Sequence, residues 1–391
     1  MEKPTLNMQT VRKTYQEKLK PTPQQERALE EVLWRCRVLY NCALEQRLTW
    51  WRGGQGRSLS RFQQEAELKD IRAAFPEYAT IHSHVLQDIL ARLDRTYQAF
   101  FRRVANGEKA GFPRFQGKDR YHSFAYKEYG NGAQVDNGAR VLSKIGRIAV
   151  RWSRPLVGTI KTVTLSREAD GWYVGFSCAE VPTQPLPPTG RETGLDVGLK
   201  VFLGTAEGVA VENPRQYRRA EKQLAKAQRR VSRRKQGSNR RRKAKQLLAR
   251  QHQKVRRQRR DFHHKTALRL VRHYDVVYYD DLRVANLLRN HHLATSINDA
   301  GWGQFRTILE ATAAYAGRRV VAVPPQYTSQ DCSGCGARVP KSLSVRTPVC
   351  PCCGLVLDRD ENAARNLQWA GQALRGLAGV PAGMNREPAG L

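Results

Sequence analysis

Between positions 24 and 51 apolar residues recur at helical spacing. Leu29, Val32, Leu33, Cys36, Leu39, Tyr40 and Ala43 fall on one face, the signature of an amphipathic helix. Thr22 is placed to cap it, with Pro23 at the first helical position, and Gly53-Gly54-Gln55-Gly56 ends it. Two further helical stretches are expected near 59–74 and 80–106, so 21–106 reads as a small helical bundle. Residues 1–20 read as extended, with Thr10, Val11, Tyr15 and Leu19 spaced among basic side chains. Strand-like pieces return at 141–145, 147–152, 160–166 and 172–180, parted by Gly146 and by the turn ending at Gly171. The pattern predicts a small β-barrel from 1–20 and 107–186, interrupted by the helical bundle.

Pro182, Pro185, Pro187 and Pro188 mark a linker. Beyond it, TGLDVGLKVFLGTAEGVAV reads as a hairpin of two strands. In 214–273 apolar residues step by seven, at Tyr217, Leu224 and Val231 and again at Leu248, Val255 and Phe262. That period suits two helices packed along a seam, turning at Gly237-Ser238-Asn239. An apolar strand then ends in Asp280 and Asp281. A helical stretch closed by Gly317 follows, then a strand over 318–323 stopped by Pro324-Pro325. Strands and helices alternate in the α/β manner.

Charge changes this picture. Lys plus Arg number 68 against 35 Asp plus Glu, a formal +33. That excess predicts a polyanion partner, nucleic acid above all. The helical pair 214–273 is almost single-signed, as expected of a hairpin laid along a nucleic-acid backbone. In 107–129 basic residues interleave with Phe112, Phe115, Tyr121, Phe124, Tyr126 and Tyr129. Such a mixture suits base stacking with phosphate contacts, while about half of these rings are expected to face a β core instead. No run of about 18 apolar residues exists, so no membrane span is expected. The first residues carry no apolar core of a signal peptide. A cytoplasmic protein is the expectation.

Two groups of residues carry candidate chemistry. Cys332-Ser-Gly-Cys335 and Cys350-Pro-Cys352-Cys353 are separated by 14 residues, each followed by Gly. This spacing suits structural Zn²⁺ held by four thiolates. The ligands are expected to be Cys332, Cys335, Cys350 and Cys353, with Cys352 a spectator. The second group is acidic. Asp196 sits in an apolar strand between Leu195 and Val197, flanked by Gly194 and Gly198; Asp280 ends a later strand; Asp360 opens a last helix. Three such carboxylates converging in one α/β domain would repel one another. Mg²⁺ or Mn²⁺ would relieve that, and two such ions suit phosphodiester hydrolysis. Salt bridges to the many arginines are the alternative.

The segments GLDVGLK, YYDDLRVANLL, PPQYTSQDCSGCG, CPCCG and DRDENAARN, in this order, resemble the motifs of the TnpB (OrfB) proteins of bacterial insertion sequences. That family is similar to the type V CRISPR effector nucleases. The resemblance extends to TPQQERALEEVLWRCRVLYN and AGFPRFQGKDRYHSFAY. It implies a multidomain α+β chain. An RNase H-like (RuvC) nuclease domain would span 187–325 and 358–376, with the basic hairpin 214–273 inside it. A zinc ribbon would occupy 326–357. A β-barrel (wedge-like) domain would span 1–20 and 107–186, a helical recognition domain 21–106, and a disordered tail 377–391. It implies a metal-dependent DNA endonuclease guided by RNA from the transposon end, reading a short motif beside a double-stranded DNA target while base pairing reads the rest. Matched by motif, the catalytic acids are Asp196, Asp280 and Asp360, leaving Asp281, Asp358 and Glu361 as neighbours. One position departs: the family usually has Glu where this chain has Asp280. The shorter acid leaves open an RNA-guided DNA-binding protein that cleaves weakly and acts by occupancy. A transposase performing strand transfer fits less well, because no His-hydrophobe-His or single-Tyr nucleophile motif stands out.

Overall fold

In a computed structural model, which describes residues 9–53, 59–136, 139–340 and 345–376, the first element is strand β1 (Thr10–Lys20). The expected tail 377–391 and Gly54-Gln55-Gly56 of the helix stop lie outside the described residues. The chain falls into two units that divide between Pro182 and Thr183.

In the first unit β1 leads into helix α1 (Pro23–Arg52). Thr22 Oγ1 accepts the Gln25 amide, and the Gln25 side chain accepts the Thr22 amide in return, a reciprocal cap that satisfies two orphan donors. The predicted face, Leu29 through Ala43, is the buried one. The stretch expected over 59–74 is α2 (Arg61–Ala66) and α3 (Leu68–Ala74). Phe75, extended because Pro76 follows it, ends α3. A short α4 (Pro76–Ala79) precedes α5 (Ser83–Ala105). Six strands follow: β2 (Ser123–Tyr126), β3 (Ala133–Asp136), β4 (Ala139–Leu142), β5 (Gly146–Arg151), β6 (Thr159–Glu168) and β7 (Gly171–Pro182).

With β1 they form one antiparallel sheet in the order β2-β6-β7-β1-β5-β4-β3. Among the described residues no ladder joins β2 to β3, so the sheet keeps two edges where a closed barrel was expected. Strands β2 and β3 are too short to show a period in the sequence. The aromatics divide as the pattern suggested. Tyr121, Phe124 and Tyr126 are buried, whereas Phe112 and Phe115 are exposed.

The second unit starts with three strands where a two-stranded hairpin was expected. These are β8 (Glu192–Val197), β9 (Val201–Thr205) and β10 (Ala210–Glu212). Helices α6 (Gln216–Ser232) and α7 (Asn239–His273) pack together, burying Leu224, Val231, Ala244 and Val255. Then come β11 (Val276–Asp280), α8 (Val284–Leu287), α9 (His291–Ala300), α10 (Trp302–Tyr315), β12 (Arg319–Val323) and α11 (Arg359–Leu374). The single helical stretch expected before Gly317 is therefore three helices. Asn290 caps α9, and Gly301, at φ 66°, breaks α9 from α10.

The five strands run β10-β9-β8-β11-β12. The first three are antiparallel, and β8, β11 and β12 are parallel. Leu195, Val277 and Tyr279 face a core with Leu270 of α7 and Phe305 and Leu309 of α10. Val276, Tyr278 and Val323 pack with Leu367 of α11. The sheet is thus covered by α7 and α10 on one side and by α11 on the other. No helix among the described residues is long and apolar enough to cross a membrane.

Candidate active site and zinc ribbon

Asp196 is the penultimate residue of β8, and Asp280 is the last of β11. Leu195 pairs with Tyr279 in the parallel ladder. Asp196 and Asp280 each follow that pair, so both point to the opposite face, the one covered by α11. Two glycine contacts show how closely the helix approaches. A Cβ on Gly194 would lie 1.8 Å from the Ala364 carbonyl oxygen, and one on Gly371 would lie 1.9 Å from the Tyr278 ring. Only residues without a side chain allow that approach. It brings Asp360, the second residue of α11, over β9. There Gly204 pairs with Asp196, and its Cβ position lies 3.6 Å from Asp360 Cβ.

The electrostatics follow from this gathering. Burial pushes the Asp196 carboxyl well above the usual range, and the Asp360 and Asp280 carboxylates raise it further. Burial pushes Asp280 up to about 6, and its Oδ1 is buried with no hydrogen-bond partner. Asp360 accepts from Arg346 Nη2 at 2.5 Å. Desolvated like charges and an unpartnered carboxylate oxygen suit a hard divalent cation. The neighbouring acids are engaged elsewhere. Asp281 pairs with Arg306 at 2.6 Å, Glu361 pairs with Arg365 at 2.7 Å, and Asp358 caps α11 by accepting the Asp360 amide.

The cysteines form the second site. Sγ atoms of Cys332, Cys335, Cys350 and Cys353 all lie within 4.8 Å of one another. The Cys332–Cys353 and Cys335–Cys350 distances are both 3.6 Å, near the edge of roughly 3.8 Å that Zn–S bonds of about 2.3 Å give a tetrahedron. Gly336 and Gly354 follow the knuckles at φ 75° and 68°, turns that favour glycine. Amides of Cys353 and Cys352 hold the Cys350 thiol down at about 6. Cys352 is exposed and outside the cluster. These four thiols fit a structural zinc.

Two buried asparagines one helical turn apart tie this ribbon to α11. Asn362 accepts the Ser333 amide at 2.8 Å and donates to the Asp331 carbonyl at 2.8 Å. Asn366 donates to the carbonyls of Thr328 and Asp331, both at 2.7 Å. The ribbon therefore fixes the helix turn that carries Asp360.

A family model described as "Probable transposase", of the OrfB proteins of IS605 elements, matches residues 176–291. A protein of Streptomyces pristinaespiralis named "Putative RNA-guided DNA endonuclease" is 38% identical over 377 residues, covering 94% of this chain and 91% of its own. The chain belongs to the TnpB (OrfB) family. A second TnpB relative, "Putative RNA-guided DNA endonuclease InsQ" of Escherichia coli K12, is 30% identical over 310 residues and 75% of each chain. A model described as "Cas12f1-like, TNB domain" matches 302–367, the span from α10 through the zinc ribbon into α11. The fold also resembles the protein of a Cas12f1-sgRNA-target DNA complex, with a TM-score of 0.55 at 14% identity over 89% of this chain and 83% of that one. A third model, of the OrfB proteins of IS605 elements and described as a helix-turn-helix domain, matches 8–56. In this chain that segment holds β1 and the single long helix α1.

Three further groups escaped the sequence reading. Asn362 and Asn366 carried a signal, polar residues at i and i+4 beside buried Ala363 and Leu367. Arg346 carried none, being one arginine among many. Nor did Asp299, whose carboxylate accepts the Tyr217 and Arg218 amides at 2.8 and 3.1 Å and so caps α6 from α9.

Proposed function

We propose that this chain is an RNA-guided DNA endonuclease with an RNase H-like (RuvC) centre built from Asp196, Asp280 and Asp360. The observation that carries the proposal is the meeting of these three acids, from β8, β11 and α11, beside a thiol site tied to the same helix. The Streptomyces and Escherichia relatives each carry the name "Putative RNA-guided DNA endonuclease", and the +33 charge matches two nucleic-acid partners. The partners would be a guide RNA from the transposon end and a double-stranded DNA target marked by a short adjacent motif. The nuclease domain would comprise 187–325 and 358–376, the zinc ribbon 326–357, the wedge-like β domain 1–20 and 107–186, and the helical recognition domain 21–106.

Asp196, Asp280 and Asp360 would hold Mg²⁺ or Mn²⁺. When bound, such ions activate water and stabilise the leaving oxygen. The chain's own residues set the stage. Asp280 offers its unpartnered Oδ1. Asp196 is half-buried beneath α11. The ribbon holds Asp360 through Asn362. Arg346 pairs with Asp360 at 2.5 Å, and its guanidinium could turn from that carboxylate to a scissile phosphate.

The test is to sequence the RNA that co-purifies with the chain and to incubate the complex with matching and non-matching duplex DNA, with and without Mg²⁺. Cutting is expected only of matching DNA in the presence of metal. Guided binding with no cutting under any of these conditions would instead favour the weakly cleaving reading. Two observations support that alternative: the acid at 280 is shorter than the family's usual Glu, and among the described residues only the four thiols form a compact ligand set.

A further inference from the structure

Helix α5 ends in an aromatic ledge. Tyr97 and Phe101, one turn apart, stack at 6.2 Å between ring centroids with 29° between planes. Phe112 returns from the following loop to set its edge against Tyr97 at 5.7 Å and against Phe100 at 5.1 Å. The rings thus fix one another while their outer surface stays in water: Phe101 is 58% exposed, Phe112 44% and Val104 52%. Arg102, Arg103 and Arg114 flank the rings and are exposed. Among the described residues, none of these three cations has an ion-pair partner.

We infer that this ledge is a stacking platform for unpaired bases of the RNA that the chain carries. Apolar rings held in place by other rings, and ringed by unpaired cations, match the face of a base and the phosphates on either side of it. A protein interface would not need three uncompensated arginines. A resident strand fits better than a passing one, because exposed phenylalanines are an association hazard whenever they stand uncovered. RNA also presents its readable bases in unpaired loops and ends. The inference rests on the RNA-guided reading above.

The test uses the full-length chain purified with its RNA. Ultraviolet crosslinking followed by mass spectrometry of the peptides should place RNA nucleotides on Phe101 or Phe112. The double variant Phe101→Leu/Phe112→Leu keeps apolar volume but removes both π-faces. It should bind the co-purified RNA about tenfold more weakly, as expected for losing one or two stacked bases. Phe101→Tyr should bind it normally. Unchanged RNA affinity in the double variant, with no crosslink at the ledge, overturns the inference and leaves the guided reading standing. A crosslink to the DNA strand alone, in the complex with a matching duplex, overturns the assignment to RNA. A wild-type chain that retains no RNA removes the guided reading itself, and this inference with it.

Discussion

Helix α11 touches two sites that are organised in opposite ways. At the ribbon, four thiols stand ready within 4.8 Å of one another. At the sheet, three carboxylates share a face without closing into such a set, and Arg346 has taken one of them. The difference lies in what holds each group. Each knuckle is a local turn whose backbone amides point at sulfur, as Gly334 does toward Cys332 at 3.3 Å, so two short loops build the whole site. The acids come from three elements far apart in sequence. They carry like charges in a partly desolvated setting, so each gains by finding its own partner or by keeping its proton. One site is closed by the chain alone, and the other is left open by it.

The hardest blow to that contrast is Cys332→Ser. Structural zinc contributes of the order of 10 kcal/mol to folding its module, so the variant is expected to lose zinc in elemental analysis and to melt the C-terminal lobe in a thermal scan. Full zinc content would remove the four-thiol site. Asp196→Ala should act on the other site alone. Cleavage is expected to fall at least about 100-fold, while guided DNA binding and zinc content stay at the parent level; cutting at the parent rate would remove Asp196 from the centre. Asn362→Ala lies between the two sites. It leaves the buried Ser333 amide and one bond to the Asp331 carbonyl unmet, at a cost of about 1–3 kcal/mol. Zinc should remain and cleavage should drop, because the turn carrying Asp360 loses its tether. An unchanged rate would mean that the ribbon does not position the acid.

Much of this was legible in the sequence for a physical reason. The C-x₂-C spacing is local and repeated, and the apolar faces of α1, α6 and α7 have periods that a linear reading detects. Asp196 stood out because a carboxylate in a glycine-flanked apolar strand is costly unless it has a task. What could not be read was non-local or too short to have a period. β2 and β3 have four residues each. The break at Gly301 depends on a left-handed backbone that the sequence leaves optional. Arg346 reaches Asp360 only after the ribbon folds back on α11, where the Arg346 carbonyl accepts the Arg359 amide at 2.7 Å. The ledge on α5 likewise exists only because the following loop returns Phe112 to the helix.

Asp280→Glu is the smallest change and the sharpest probe of the contrast. Asp280 ends β11 with one carboxylate oxygen buried and without a hydrogen-bond partner. A single added methylene extends the reach by more than 1 Å, and misplacements of about that size can change rates roughly 100-fold. If the open arrangement of the acids arises from that missing reach, Asp280→Glu should cleave matching DNA at the parent rate or faster, up to about tenfold, under single-turnover conditions at saturating Mg²⁺. Guided DNA affinity should not move, because the change touches only the metal-facing end of the strand. A variant that binds its target normally yet no longer cuts would show that this centre is built around the shorter acid. The spacing between the carboxylates would then be a property of the working site, with the closing distance covered by metal and substrate.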